Sequence, residues 1–373
     1  MIEFVDFTEA IGILQVRSLS YKHLEPGDIP VFGTGGYMLS VNEALSYDKD
    51  AIGIGRKGTI DKPYILKAPF WTVDTLFYAI PRDSECLNFS NYIFQNINWR
   101  KKDESTGVPS LSKNAINNTL VEIPNRQEQL RIGKYLGTLD HLSTLHQRQL
   151  DEQKALKKYF LQNMFPAKGE KVPRIRLQGF TGDWEQRKLY ELADVKDSAR
   201  IPNSFWSEEG VPYIRASDLT SDDLTGTLFL SNDVFEHYKS QTGVPEKGDV
   251  LFNGGGEIGK AVLKVDDSSI YVQGGAVLYV KTSKSTKLRG DYLKAFFQSP
   301  SAKKYIEVVQ AGGTMKHFTL GPAQQMPVIY PSQEEQRQIG SFFTTLDITI
   351  ALHQRQLTQL QAVKKFMLQN LFI

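Results

Sequence analysis

The hydrophobic positions of this chain are most regular at its C-terminal end. Ile339, Phe343, Leu346, Ile350, His353, Leu357, Leu360, Lys364, Met367 and Leu371 alternate steps of four and three, which is a heptad seam. The same rows run through Ile132, Leu136, Leu139, Ser143, His146, Leu150, Gln153, Lys157, Phe160 and Met164, where four of the ten are polar. The spacing predicts two long helices. At about 1.5 Å per residue, a helix of roughly 38 residues is about 57 Å long, a rod rather than a core element.

The two helices are copies of one segment. "HQRQL" occurs at His146–Leu150 and at His353–Leu357, an offset of 353 − 146 = 207 residues. At that offset 127–165 aligns with 334–372 without a gap, and about half the positions are identical. They include Glu128, Gln129, Ile132, Gly133, Leu139, Asp140, Lys157, Lys158 and Phe165, and just upstream Val121 and Pro124 match Val328 and Pro331. Parallel or antiparallel packing would join the copies. An antiparallel coiled coil is preferred, because a two-fold axis then buries like against like. Its spacer seam is expected to use Ile132, Leu139, His146 and Leu150 against Ile339, Leu346, His353 and Leu357. A repeated histidine invites a metal or acid–base role, but a polar layer fixing register fits His146 and His353 better.

Upstream of each helix the copies diverge. "IPVFGTGG" at Ile29 resembles "VPYIRASD" at Val211, and "NYIFQN" resembles "DYLKAF". The offset grows along the chain, as insertions would cause. "AIGIG", "PYIL", "TLFYAI", "DVLF", "IYV" and "AVLYV" read as short strands, whereas "FSNYIFQNINWRK" and "DYLKAFFQSPSAKKYIEVV" read as helices, so the fold class is α+β. The expected organisation is a globular domain over 1–122, a spacer helix over 123–165, a linker and second globular domain over 166–328, and a second spacer helix over 329–373. The Pro-, Gly- and base-rich stretch Pro166–Trp184 routes the chain between copies.

Composition narrows the class of protein. With 373 residues, 40% of them apolar and 11% aromatic, the chain is globular. A single cysteine, Cys86, excludes an intrachain disulfide framework and fits a reducing, cytoplasmic setting. The start "MIEFVDFTEA" lacks the basic and apolar regions of a signal peptide, and no apolar run approaches a membrane span. A net charge of +2 leaves nucleic-acid binding to local patches or partners.

Candidate chemistry lies on glycine-rich turns. Gly53, Gly55 and Gly58 satisfy GxGxxG, but "TIDKPYIL" follows, where Pro63 and the β-branched residues point to a strand rather than the helix a dinucleotide site requires. A tight turn offering backbone N–H groups with Arg56, Lys57 and Lys62 to phosphate is the better reading. "NGGGEIGK", Asn253–Lys260, lacks the GK[ST] ending of a phosphate loop. No GxSxG, HExxH or CxxC is present, nor a convincing nuclease or adenine-methyltransferase motif, so an enzyme acting alone, a cofactor and a metal site are not expected.

Two divergent domains, each followed by "EQxxIGxxxxxLD…HQRQL…LKKxxLQNxF", together with "GFTGDWEQRKLxEL" at Gly179–Leu192, closely resemble the specificity subunit of type I restriction-modification systems. The resemblance implies two target recognition domains, each reading half of a split double-stranded DNA sequence, spaced by an antiparallel coiled coil. It also implies two adenine methyltransferase subunits docked on the helices, and restriction motor-nuclease subunits. A rod of about 57 Å can set readers about 34 to 36 Å apart, the distance between successive major grooves on one side of duplex DNA. On that reading the DNA-binding candidates are Arg56, Lys57 and Lys62 in the first domain, and Arg215, Asn253, Lys260, Lys316 and His317 in the second. "QAGGTMKHFTL", Gln310–Leu320, resembles a Gly-Thr turn late in such domains, with "ESTGVPSLS", Glu104–Ser112, as its counterpart. One departure is that "MIEFVDFTEAIG" only loosely matches "WEQRKLYELADV", so the first domain is expected to be short at its edge. A coiled-coil adaptor without DNA readout, or a nucleotide-binding enzyme using the glycine loops, are the competing readings.

Overall fold

A computed structural model describes residues 3–6, 14–15, 24–82, 85–310 and 316–372. The chain divides into two compact units, Met1–Arg148 with Gln354–Ile373, and Gln149–His353. Each unit holds one globular domain together with a part of each of two long helices.

In unit 1 the strands are β1 (Glu3–Asp6), β2 (Leu14–Gln15), β3 (Pro26–Gly33), β4 (Gly36–Val41), β5 (Ala51–Gly55), β6 (Tyr64–Leu66), β7 (Trp71–Thr72), β8 (Leu76–Ala79) and β9 (Leu120–Ile123). They form sheets ordered β1-β9, β2-β8-β5-β6 and β4-β3-β7. In unit 2 the strands are β10 (Glu185–Lys188), β11 (Val195–Asp197), β12 (Trp206–Ser207), β13 (Val211–Ile214), β14 (Phe229–Leu230), β15 (Val250–Asn253), β16 (Ala261–Leu263), β17 (Tyr271–Val272), β18 (Val277–Val280) and β19 (Pro327–Tyr330). Their sheets run β10-β19, β11-β18-β15-β16 and β12-β14-β13-β17. The two domains therefore share a topology: β13 pairs parallel with β17 as β3 does with β7, and β15 sits between β16 and β18 as β5 does between β6 and β8. The loosely matching start supplies β1, whose Val5 faces Val121 as Arg187 of β10 faces Val328.

Five helices position the domains and their turns: α1 (Leu87–Asn96), α2 (Arg126–Asn163), α3 (Ala216–Thr220), α4 (Gly290–Phe297) and α5 (Gln333–Leu371). The long pair, α2 and α5, have 38 and 39 residues. Asn125 caps the first, its side chain accepting from the Glu128 N–H at 3.1 Å, and Ser332 caps the second by accepting from Glu335 at 3.4 Å. The seam residues are buried or half-buried along both helices, except that Leu371 is exposed and Phe372 packs instead on Phe89, with centroids 5.4 Å apart. The short helices correct two readings. "FSNYIFQNINWRK" ends as α-helix at Asn96 and continues as a separate 3-10 turn, Trp99–Lys102; the stretch after Gly290 breaks at Ser299, which caps a second helix opened by Pro300.

Several of the repeated residues have matching tasks in the two units. Gln129 and Gln336 are buried; Gln336 donates to the carbonyls of Pro331 (2.9 Å) and Lys287 (2.8 Å) and accepts from the Arg289 N–H (2.9 Å) at the start of α4. Gln129 donates to the Pro124 carbonyl (3.0 Å) and accepts from the Cys86 N–H (3.2 Å) at the start of α1. Gly133 and Gly340 let the long helices approach: a Cβ would lie 3.0 Å from the Phe89 nitrogen at the first and 2.5 Å from Asp291 Cγ at the second. In unit 1, Asp140 binds Lys364 (2.6 Å) and Tyr92 (2.7 Å); in unit 2, Asp347 binds Lys157 and Lys294. Leu136, Leu139, Leu360 and Met367 cluster in unit 1 with Tyr92, whereas in unit 2 Phe165 stacks on Phe343 and Phe342 meets Phe160 and Phe343 edge to face.

Because Gln336 is fully buried and satisfies three backbone groups, Gln336→Leu should destabilise the chain by about 1–3 kcal/mol, the cost of orphaning buried polar groups. Urea denaturation followed by tryptophan fluorescence measures this; an unchanged midpoint would show that the clamp contributes nothing.

Candidate nucleic-acid interface

In unit 1 the turn after β5 is built by two glycines. A Cβ on Gly55 would meet the Thr59 carbonyl at 2.0 Å, and Gly58 has φ of +95°, so neither accepts a side chain without strain. The turn leads into β6, not a helix, as the proline and β-branched residues predict. Its backbone N–H groups, however, are committed inside the domain: Arg56 and Lys57 donate to the Thr75 carbonyl (2.8 and 3.3 Å), and Gly58 donates to Pro109 (2.8 Å). At these three residues an anion must therefore be met by side chains. Arg56, Lys57 and Lys62 are exposed, with Arg56 also donating to the Asp74 carbonyl at 3.2 Å.

The counterpart loop packs against this turn. Lys57 bridges Ser110, and Leu111 donates to the Arg56 carbonyl (2.9 Å). Asp103 shapes that loop by accepting from the Ser105 N–H (3.0 Å), the Ser105 hydroxyl (2.8 Å) and the Ser110 N–H (2.9 Å), leaving Thr106, Gly107 and Val108 exposed at its tip. The Ser110 and Ser105 N–H groups hold the Asp103 carboxyl below its ordinary range. "NWRKK" adds cations nearby: Trp99 is buried and donates to the Phe94 carbonyl (2.7 Å), while exposed Arg100 pairs with Asp61 at 2.5 Å.

In unit 2 the structure gathers the candidates around the turn after β15. Lys260 reaches Asp222 at 2.8 Å, a non-glycine residue with φ of 54°. Phe318 donates to the Gly254 carbonyl (2.8 Å), and a Cβ on Gly255 would lie 3.4 Å from the His317 ring. Lys316 and His317 are exposed; Ala311 to Met315, including the Gly-Thr part of the late turn, lie outside the described residues. Arg215 is half-buried, forking onto Asp218 (3.1 and 3.0 Å) and reaching Thr227 (2.7 Å), so it touches another group only by leaving a bidentate partner. Asn253 is a correction. It is fully buried, and its amide donates to the Ala216 carbonyl (2.9 Å) and Thr220 hydroxyl (3.4 Å), holding α3 from beneath rather than facing outward.

Sequence reading overlooked the carboxylates that shape these turns. A legible signal existed, since Asp103–Ser105, Asp223–Thr225 and Asp266–Ser268 are all Asp-x-Ser/Thr turns in which the aspartate accepts the N–H two residues on (3.0, 2.8 and 3.0 Å). His146 and His353 are half-buried on the seam, and no cluster of three metal-ligating side chains occurs among the described residues. No helix among them is long and apolar enough to cross a membrane.

A family profile described as the type I restriction modification DNA specificity domain matches twice, over residues 12–154 and 181–362. The chain belongs to this family. The specificity chain is 23% identical over 293 residues to the type I restriction enzyme MjaVIII specificity subunit of Methanocaldococcus jannaschii, covering 74% of this chain and 67% of that one. It is 22% identical over 335 residues to a putative type I restriction enzyme specificity subunit of Haemophilus influenzae, covering 87% and 82%. A crystal structure of a type I S subunit from M. genitalium has the same fold, with a TM-score of 0.72 at 14% identity over 100% of this chain and 96% of that one. The specificity chain is thus a type I restriction-modification specificity subunit with two specificity domains.

Since its folded-state pKa is lowered, Asp103 contributes order to its loop above the ordinary carboxylate range and loses it as pH falls through the folded value. At neutral pH, Asp103→Ala should speed amide exchange at Ser105 and Ser110 while leaving the melting temperature nearly unchanged. Unaltered exchange would show that the loop holds without this carboxylate.

Proposed function

We propose that the two domains, 1–122 and 166–328, each read one half of a split duplex DNA target, and that the helices within 123–165 and 329–373 set the gap. The observation that carries this is that each specificity domain surrounds a glycine turn with basic side chains: Arg56, Lys57 and Lys62 in one, Lys260 and Lys316 with the imidazole of His317 in the other. Exposed cations suit phosphate and guanine edges, while Arg215 and Lys260 would exchange a carboxylate for a phosphate or base on binding. Asn253 is reassigned to support.

The chain itself carries out no catalysis in this reading. Adenine methyltransferase subunits dock on the helices, one at each copy, and motor-nuclease subunits join them in the restriction complex, in the cytoplasm. Repeated exposed apolar positions support the docking: Leu145 and Leu352, Leu156 and Val363, and Tyr159 and Phe366 are each 39 to 61% exposed at the 207-residue offset. Apolar side chains repeated on a solvent face mark an interaction surface.

Co-expression with the cognate methyltransferase subunit in a host lacking adenine methylation, followed by genome-wide mapping of modified adenines, tests the proposal. One split motif is expected. Removing one heptad from both helices shortens the pair by about 10 Å, which should narrow the gap by about three base pairs or abolish methylation. An unchanged motif in that variant would overturn the spacing role, and absence of methylation with a bound wild-type partner would overturn DNA reading.

A further inference from the structure

In unit 2, Lys260 and Asp222 hang from one buried residue. At the end of β15 the Asn253 N–H donates to the Lys260 carbonyl (2.9 Å), while the Asn253 side chain holds α3 through Ala216 (2.9 Å) and Thr220 (3.4 Å). Asp222 follows α3, its N–H donating to the Leu219 carbonyl (3.0 Å). Its φ of 54° is a left-handed conformation that, among residues with side chains, aspartate and asparagine adopt most readily. Asp223 closes the turn, donating to the Asp218 carbonyl (2.9 Å) and accepting from the Thr225 N–H (2.8 Å). Both side chains therefore leave from fixed backbone, and they meet at 2.8 Å.

This pair differs from its neighbour. Asp218 is turned inward, its side chain 8% exposed, and accepts from the Arg215 N–H (2.9 Å) as well as from the guanidinium. Asp222 is 58% exposed and Lys260 26%, so a donor and an acceptor both reach solvent beside the glycine turn. An exposed pair of this kind adds little to stability in water. Exchanging Asp222 for DNA frees Lys260 but leaves a carboxylate at the surface of a polyanion, where it is repelled unless it meets an amino donor. In the major groove cytosine N4 and adenine N6 supply that donor.

Base pairing decides what lies beside it. Cytosine N4 is hydrogen-bonded to guanine O6 at about 2.9 Å, which matches the 2.8 Å between Lys260 Nζ and Asp222 Oδ2. A T·A pair offers the same order of acceptor and donor, but carries the thymine methyl where guanine carries N7. An ammonium with three N–H donors is satisfied by N7 and not by a methyl group.

We propose that the Lys260–Asp222 pair reads a single G·C base pair through the major groove, Lys260 donating to guanine O6 and N7 and Asp222 accepting from cytosine N4. This rests on the reading of unit 2 as half of a duplex DNA reader, and adds which base pair it takes and which two residues take it.

The test measures methyl transfer by the full chain in complex with its cognate methyltransferase subunit, on duplexes carrying the mapped split motif and on duplexes changed at one position at a time. At one position of one half-site, G·C should be preferred over T·A by about ten- to a hundredfold. Asp222→Asn, which the left-handed backbone also accommodates, and Lys260→Gln should each remove the preference at that position while the other positions are still read; melting curves check that both fold. A uniform loss over all duplexes would make Lys260 a phosphate contact. That result, a preference kept in both variants, or relaxation at a position occupied by T·A would each overturn the assignment with DNA reading intact. Absence of a split motif for the wild-type complex would overturn the reading itself, and this assignment with it.

Discussion

A carboxylate–ammonium pair made twice from one sequence signature is the constraint on which the rest depends. Asp140 meets Lys364 in unit 1 and Asp347 meets Lys157 in unit 2. The position sums agree, 140 + 364 = 504 and 157 + 347 = 504, as antiparallel register requires. Burial pushes the Asp347 carboxyl up, but Lys294 and Lys157 together hold it below its ordinary value, so this pair stabilises the fold above the usual carboxylate range and fails as pH falls. The local physics of the two pairs differs: Asp140 is supported by the Tyr92 hydroxyl, over whose ring Lys364 also lies at 5.2 Å, whereas Asp347 has a second lysine.

From that register the domains follow. The glutamine clamps tie the first turn of each long helix to the start of α1 or α4, and the glycines allow the close approach. These contacts fix each helix to the core of its own domain, in which β5 or β15 presents the glycine turn at its C-terminal end. Side chains at the turns are free to differ because the backbone beneath them is already satisfied. The arrangement therefore keeps the signature nearly constant while Arg56, Lys57 and Lys62 in one domain become Lys260, Lys316 and His317 in the other.

Legibility followed the range of the interactions. The heptad rows and the 207-residue offset are local and periodic, and they located helices of 38 and 39 residues and their seam. The shared sheet topology was visible only as weak matches at drifting offsets, because short strands carry few residues. Sequence pattern also could not show what each cation touches. Asn253 looked like a base-reading residue on a glycine turn, yet its burial depends on α3, more than 30 residues earlier at Ala216–Thr220. Arg215 and Lys260 likewise looked free, but Asp218 and Asp222 accept from them. Backbone donors of the glycine turn after β5 were read as open to phosphate; Thr75 and Pro109, distant in sequence, already accept from Arg56, Lys57 and Gly58.

The register is tested most directly by a charge-swap cycle on the full chain, with stability measured for Asp140→Lys, Lys364→Asp, Lys157→Asp and the paired combinations. Antiparallel register requires that Asp140→Lys with Lys364→Asp recover stability, with a coupling of about 0.5–1 kcal/mol, while Asp140→Lys with Lys157→Asp shows none. Strictly additive losses in the first combination, with no recovery, would contradict the pairing of Asp140 with Lys364.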